Sequence, residues 1–156
     1  IQQARVLDGP NAMIFDSFEV VPIDPRCPPG IDEVEQRLAA VLDGPLDRIN
    51  PTRRTHPRHL RHFRIAAQVG FDTLDDGRTM LSLVCTDRPA LLADVTQAIR
   101  GQGLRVHDAR IATFGERAED VFQLTSTQPD GRDGALDQTQ QEALREALLA
   151  CLEGDR

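Results

Sequence analysis

The chain has 156 residues, room for one ordinary domain or two small ones. Its formal net charge is −7, which argues against a general nucleic-acid or membrane binder, and all 18 of its basic residues are arginine. No apolar run approaches membrane-spanning length, and no Trp or Tyr is present to stack on bases. Three cysteines, Cys27, Cys85 and Cys151, are odd in number and far apart, with no C-x-x-C spacing, and no signal peptide opens the chain. A reduced, cytoplasmic protein is the expectation.

Residues 1–45 read as half a domain. Ile1 to Leu7 is a short strand, Asp8 to Asn11 a turn and Ala12 to Val21 a second strand. A proline-rich loop, Pro22 to Gly30, leads into a helix over Ile31–Asp43. Its apolar stripe is Ile31, Val34, Leu38, Val41 and Leu42, and Gly44-Pro45 stops it. Residues 46–60 form a basic linker broken by Pro51 and Pro57. Phe63, Ile65, Ala67, Val69 and Phe71 then alternate as one face of a half-buried strand over 61–72.

Thr79 to Thr86 is an apolar run with the bounds of a buried strand. Asp87 suits a helix N-cap, and Pro89 suits a first turn. From Leu91 the residues Leu91, Leu92, Val95, Ala98 and Ile99 repeat at helical spacing, with Gly101 and Gly103 as the stop. Val106, Ala109, Ile111 and Phe114 are the apolar points of a strand that turns at Gly115 to Arg117, and Val121 to Leu124 form the next. A last helix over Asp137–Leu152 carries a capping box, Asp137 with Gln140, and a stripe of Leu144, Ala147, Leu148, Cys151 and Leu152.

One half repeats the other. Ala4-Arg5-Val6 matches Ala109-Arg110-Ile111, and Asp16-Ser17-Phe18-Glu19-Val20 matches Asp120-Val121-Phe122-Gln123-Leu124. Phe18 and Phe122 are expected at equivalent buried positions. The first unit lacks a leading strand and helix, which the repeat places before Ile1. The second lacks a fourth strand after its last helix, and the hairpin strand 61–72, pairing antiparallel with 78–87, is predicted to fill that edge. The fold class is therefore α+β: a ferredoxin-like βαββα unit with an antiparallel sheet over 61–156, and the second half of another unit over 1–45.

The segments TDRPALLADVTQAI and HDARIATFGERAEDVFQLTS resemble the ACT domains at the C-terminus of the bifunctional uridylyltransferase/uridylyl-removing enzymes of nitrogen control. The Gly115 to Phe122 string GERAEDVF is the more specific part of the likeness; Asp-Arg-Pro-x-Leu-Leu marks many ACT domains. The resemblance implies a regulatory module that senses an amino acid, glutamine above all, and controls uridylylation and deuridylylation of the PII signal protein. It implies Mg for the nucleotidyl transfer of the whole enzyme, and no cofactor, metal or catalytic residue in this segment. Its partners would be the amino acid, other ACT units and PII. In ACT domains the loop that corresponds to Asp87, Arg88, Pro89, Ala90, Leu91 and Leu92 takes the ligand. Ala90 departs from the usual glycine, and its methyl group stands where a ligand would approach the backbone.

Each candidate has a plainer reading. Asp87 caps a helix and Arg88 is solvated, or the loop takes an amino acid, with the ligand carboxylate at the helix N-terminus and its ammonium on Asp87 or a facing carbonyl. His107-Asp108 resembles the dipeptide of metal-dependent HD phosphohydrolases, but in a strand adjacent side chains point to opposite faces. His56, His59 and His62 lie among Arg53, Arg54, Arg58, Arg61 and Arg64. A field of that sign disfavours a metal cation, and such a run is usually a solvated linker. A module that only assembles ACT units, and an RNA-binding ferredoxin-like domain, are the alternatives of other classes. The latter lacks the expected aromatics, since the strand in question reads AEDVFQLT.

Overall fold

A computed structural model describes residues 1–22, 24–44 and 65–153. These form an α+β protein with an open antiparallel sheet of seven strands and three helices. In chain order the elements are β1 (Gln3–Asp8), β2 (Ile14–Glu19), α1 (Ile31–Leu42), β3 (Gln68–Thr73), β4 (Thr79–Thr86), α2 (Leu91–Gly101), β5 (Arg105–Phe114), β6 (Arg117–Thr127), β7 (Asp133–Gly134) and α3 (Gln138–Glu153). A single 3-10 turn, Pro10–Ala12, joins β1 to β2. The strand order is β2-β1-β5-β6-β4-β3, with β7 on the end of β6.

Alternation along the strands sets the core. Thr79, Leu81, Leu83 and Cys85 of β4 are buried, while Met80, Ser82, Val84 and Thr86 between them are half-buried. The run expected as a buried strand is thus fully covered on one face and half-covered on the other. On β6 the inward residues are Ala118, Asp120, Phe122 and Leu124, and on β5 they are Ala109 and Ile111. Against them pack Leu91, Val95 and Ile99 of α2 and Leu144 and Leu148 of α3. The box at the start of α3 closes as its residue types require: the Gln140 amide donates to Asp137 Oδ1 (2.8 Å), and the Asp137 amide donates to Gln140 Oε1 (3.0 Å).

The hairpin strand before β4 is where its alternation put it. β3 pairs antiparallel with β4, Val69 facing Leu83 and Phe71 facing Leu81. The Ile65 amide extends the contact by donating to Thr86 Oγ1 (2.8 Å). Residues 61–64 of the expected strand, the 46–60 linker and the histidine–arginine run lie outside the described residues.

The matched halves share one register. In β1–β2, Ala4 pairs with Phe18, Arg5 with Ser17 and Val6 with Asp16. In β5–β6, Ala109 pairs with Phe122, Arg110 with Val121 and Ile111 with Asp120. The hairpins join edge to edge through β1 and β5, where Ala4 faces Ile111, Arg5 faces Arg110 and Val6 faces Ala109. That pairing is its own mirror in terms of the repeat, so a local pseudo-twofold axis passes between Arg5 and Arg110.

Burial departs from expectation in three places. Phe18 is 50% exposed where Phe122 is 1% exposed. The whole of α1 is exposed, its apolar stripe included, because no other described element covers it. Phe114, expected inward, is exposed because a bulge between Val106 and Asp108 resets which residues of β5 face the core.

Candidate functional site

The loop from Thr86 to Leu92 runs from the end of a central strand to the start of α2. The Asp87 amide donates to the Glu116 carbonyl (2.8 Å), fastening the loop to the β5–β6 turn. Asp87 is not the N-cap: α2 starts at Leu91, and the capping residue is Ala90, which offers no side-chain acceptor. Pro89 accordingly precedes the helix. Ala90 has φ 65° and ψ 9°, the left-handed region that a glycine adopts freely and an alanine adopts at a cost. This is the position where the resemblance calls for glycine, and the backbone keeps the shape that glycine would give it.

Arg88 is not solvated. Its Nη2 lies 2.6 Å from Asp94 Oδ2 and donates to the Cys151 carbonyl near the end of α3 (3.0 Å), while Nη1 donates to the Pro89 carbonyl (3.3 Å). Both side chains of the pair are largely buried. Arg88 therefore ties the loop, α2 and the C-terminal turn of α3 together. Leu91 is a core residue and Leu92 packs partly against the core, so of the six predicted residues these two serve packing first.

Beneath the loop is a residue that the sequence marked only as part of a repeat. Asp120 is 1% exposed, and neither of its carboxylate oxygens has a hydrogen-bond partner. Burial pushes its pKa up to about 6; the Ala112 backbone pulls the other way, and the charge of Asp87 adds to the rise. A carboxylate between Ala118 and Phe122 in a strand that alternates inward was the available signal. Cys85, the β4 residue next to this group, has its thiol pushed up to about 12 by burial, with the Asp120 carboxylate adding to the effect. Burial also raises Cys151, whose Sγ donates to the Leu148 carbonyl (3.1 Å). Neither thiol is set up as a nucleophile.

His107 belongs to a different cluster, at the seam between the halves. Its Nδ1 lies 2.9 Å from Asp8 Oδ2 and its Nε2 lies 2.8 Å from Thr125 Oγ1. Arg105 Nη2 reaches the same Asp8 oxygen at 3.0 Å. Desolvation alone would raise the Asp8 carboxyl, but the His107 hydrogen bond and the Arg105 charge outweigh it and hold it below its ordinary value. No group of three or more His, Cys, Asp or Glu residues among the described residues is arranged to hold a metal ion. Nor is any described helix long and apolar enough to cross a membrane.

Neither a family model nor a solved structure matches the chain. Curated proteins do. The chain is 54% identical over 98% of its length to a bifunctional uridylyltransferase/uridylyl-removing enzyme of Xanthomonas oryzae pv. oryzae, and 53% identical to that of Xanthomonas axonopodis pv. citri. The enzyme of the same name from Methylococcus capsulatus is 33% identical over 96% of the chain. In each case the chain spans 17% of the relative's length. Nearly the whole chain is thus homologous to about one-sixth of these enzymes.

Proposed function

We propose that this chain is a regulatory, amino-acid-sensing segment of a bifunctional uridylyltransferase/uridylyl-removing enzyme, acting on the uridylylation state of PII. The observation that carries this reading is the 54% identity along 98% of the chain to proteins of that name. The β4-α2-β5-β6-α3 order, with β3 on the outer edge beside β4, supports an ACT-type ferredoxin-like unit over 61–156. The matched registers of the two hairpins support a second half-unit over 1–45, joined through the 46–60 linker. In this reading the uridylyl chemistry and its Mg belong to the rest of the enzyme, and no catalytic residue is assigned here.

The ligand we propose is glutamine, taken at the loop Asp87–Leu92. Its carboxylate would meet the start of α2, and Asp87 would attend its ammonium. Arg88 holds the loop against α3 instead of touching the ligand, given its ion pair with Asp94. A thermal-shift titration with glutamine, glutamate and alanine tests this on the present chain and on a longer chain with two complete units. A glutamine-specific rise in the longer chain, lost in Asp87→Ala, is expected by linkage. A glutamine shift that survives Asp87→Ala would put the site elsewhere. No shift in either chain would favour assembly alone, a reading that the edge-to-edge β1–β5 seam supports independently.

A further inference from the structure

A cleft of about 320 Å³ opens over the β1–β5 seam, with Gln3, Arg5, Ser17, Glu19, Arg110 and Ala112 on its walls. Ala4 and Ile111, which also border the cleft, alternate with these residues and belong with Ala109 to the core cluster. The cleft therefore lies on the sheet face opposite α2 and α3. It is separate from the loop before α2, none of whose residues lines it.

Arg5 and Arg110 are direct ladder partners, and both are exposed. Like charges placed opposite each other on neighbouring strands cost stability. Elsewhere the chain neutralises such charges: Arg78, Arg88, Arg105, Arg117 and Arg145 each hold a carboxylate. Among the described residues neither Arg5 nor Arg110 has an ion pair or a side-chain hydrogen bond. Their repulsion is thus uncompensated on the pseudo-twofold axis, at the mouth of a cleft. The one acidic wall residue is Glu19, opposite Gln3 on β2. Two arginines and one glutamate leave the walls a formal charge of +1 (2 − 1), which one monoanion balances.

We propose that this cleft binds a small monocarboxylate, its oxygens shared between the guanidiniums of Arg5 and Arg110. Guanidinium forks match the planar carboxylate and form short, charge-assisted hydrogen bonds with it. Ser17 and Gln3 supply neutral donors on one wall, and Glu19 turns away dianions. Because one arginine comes from each half of the repeat, an occupied cleft tightens the seam between them.

The test uses the 156-residue chain. The arginine Nε–Hε signals are followed by NMR during titrations with acetate and with sulfate, near neutral pH and at constant ionic strength. Acetate is expected to move the Arg5 and Arg110 signals saturably and to bind more tightly than sulfate. Arg5→Gln and Arg110→Gln should each weaken acetate by about ten-fold or more, some 1.4 kcal/mol. Each should also raise the thermal midpoint of the ligand-free chain, which separates lost binding from lost folding. Arg37→Gln on exposed α1 should change nothing, and Glu19→Gln should narrow the preference for acetate over sulfate. No saturable response in the parent chain, or one that persists in both arginine variants, overturns the proposal. Equal movement of every arginine signal also overturns it.

Discussion

Phe18 and Phe122 hold the same ladder position in two copies of one hairpin, each opposite an alanine, Ala4 or Ala109. One is 50% exposed and the other 1%. Asp16 and Asp120 are likewise ladder equivalents, one exposed and one sealed in the core. The helices after the two hairpins differ in the same way: α3 buries Leu144 and Leu148, while α1 keeps its apolar stripe in solvent. Register in these hairpins comes from alternation and a short connection, which both copies possess. Burial comes from what covers the face. β5–β6 has β4 on one flank and α2 and α3 above it, whereas the core reaches only as far as Ala4 and Val6 of β1, and β2, the edge strand, is exposed along its whole length.

Removing the aromatic ring from each copy gives the largest expected contrast. Phe122→Ala leaves a cavity in the packed core and should cost about 3–5 kcal/mol. Phe18→Ala, at a half-exposed position, should cost about 1 kcal/mol or less. Urea denaturation of both variants measures the gap. Equal losses would mean that the first hairpin's inner face is covered in solution.

The aspartates contrast through pH. Burial raises the Asp120 pKa from 3.8 to about 6, so the folded state binds this proton more tightly than the unfolded state does. Its contribution is favourable below the unfolded pKa and is lost as pH rises through the folded one. At neutral pH the penalty is on the order of 3 kcal/mol. Asp120→Asn should therefore stabilise the chain near neutral pH by about 1–3 kcal/mol, the gain vanishing in acid. Asp16→Asn, at the exposed ladder equivalent, is the control for the substitution itself. Stability profiles of the two variants that run parallel would remove Asp120 as the source.

Much of this was legible in the residues. The Asp137–Gln140 box, the Leu91, Val95, Ile99 stripe and the β3–β4 hairpin each follow from short-range spacing. The shared register of the two hairpins follows from matched tripeptides. What escaped depends on distant neighbours or on backbone angles. Arg88 is held by Asp94 across the start of α2 and by a carbonyl 63 residues away. Phe114 faces out because a bulge seven residues upstream shifts the alternation. Asp120 is orphaned only once two helices close over β6. The cap at Ala90 went to Asp87 because residue type favoured aspartate, while the chain turns three residues later in a conformation that no composition reveals.

Backbone strain gives the smallest and sharpest contrast. Two non-glycine residues have positive φ among those described, Asn11 at 60° in the first half and Ala90 at 65° in the second. Asparagine reaches this region at little cost because its short polar side chain hydrogen-bonds locally, and alanine lacks that compensation. Ala90→Gly removes the strain and adds some entropy to the unfolded chain, for a net gain of about 0.5–1 kcal/mol. Asn11→Gly should shift stability by no more than a few tenths of a kcal/mol. Urea midpoints at unchanged slope measure both. The same Ala90→Gly exchange clears the methyl group from the loop before α2. If that loop takes a ligand carboxylate, glutamine should bind the glycine variant of the two-unit chain more tightly by a margin that exceeds its gain in stability. A stability gain without that tightening would leave Ala90 a strained turn and nothing more.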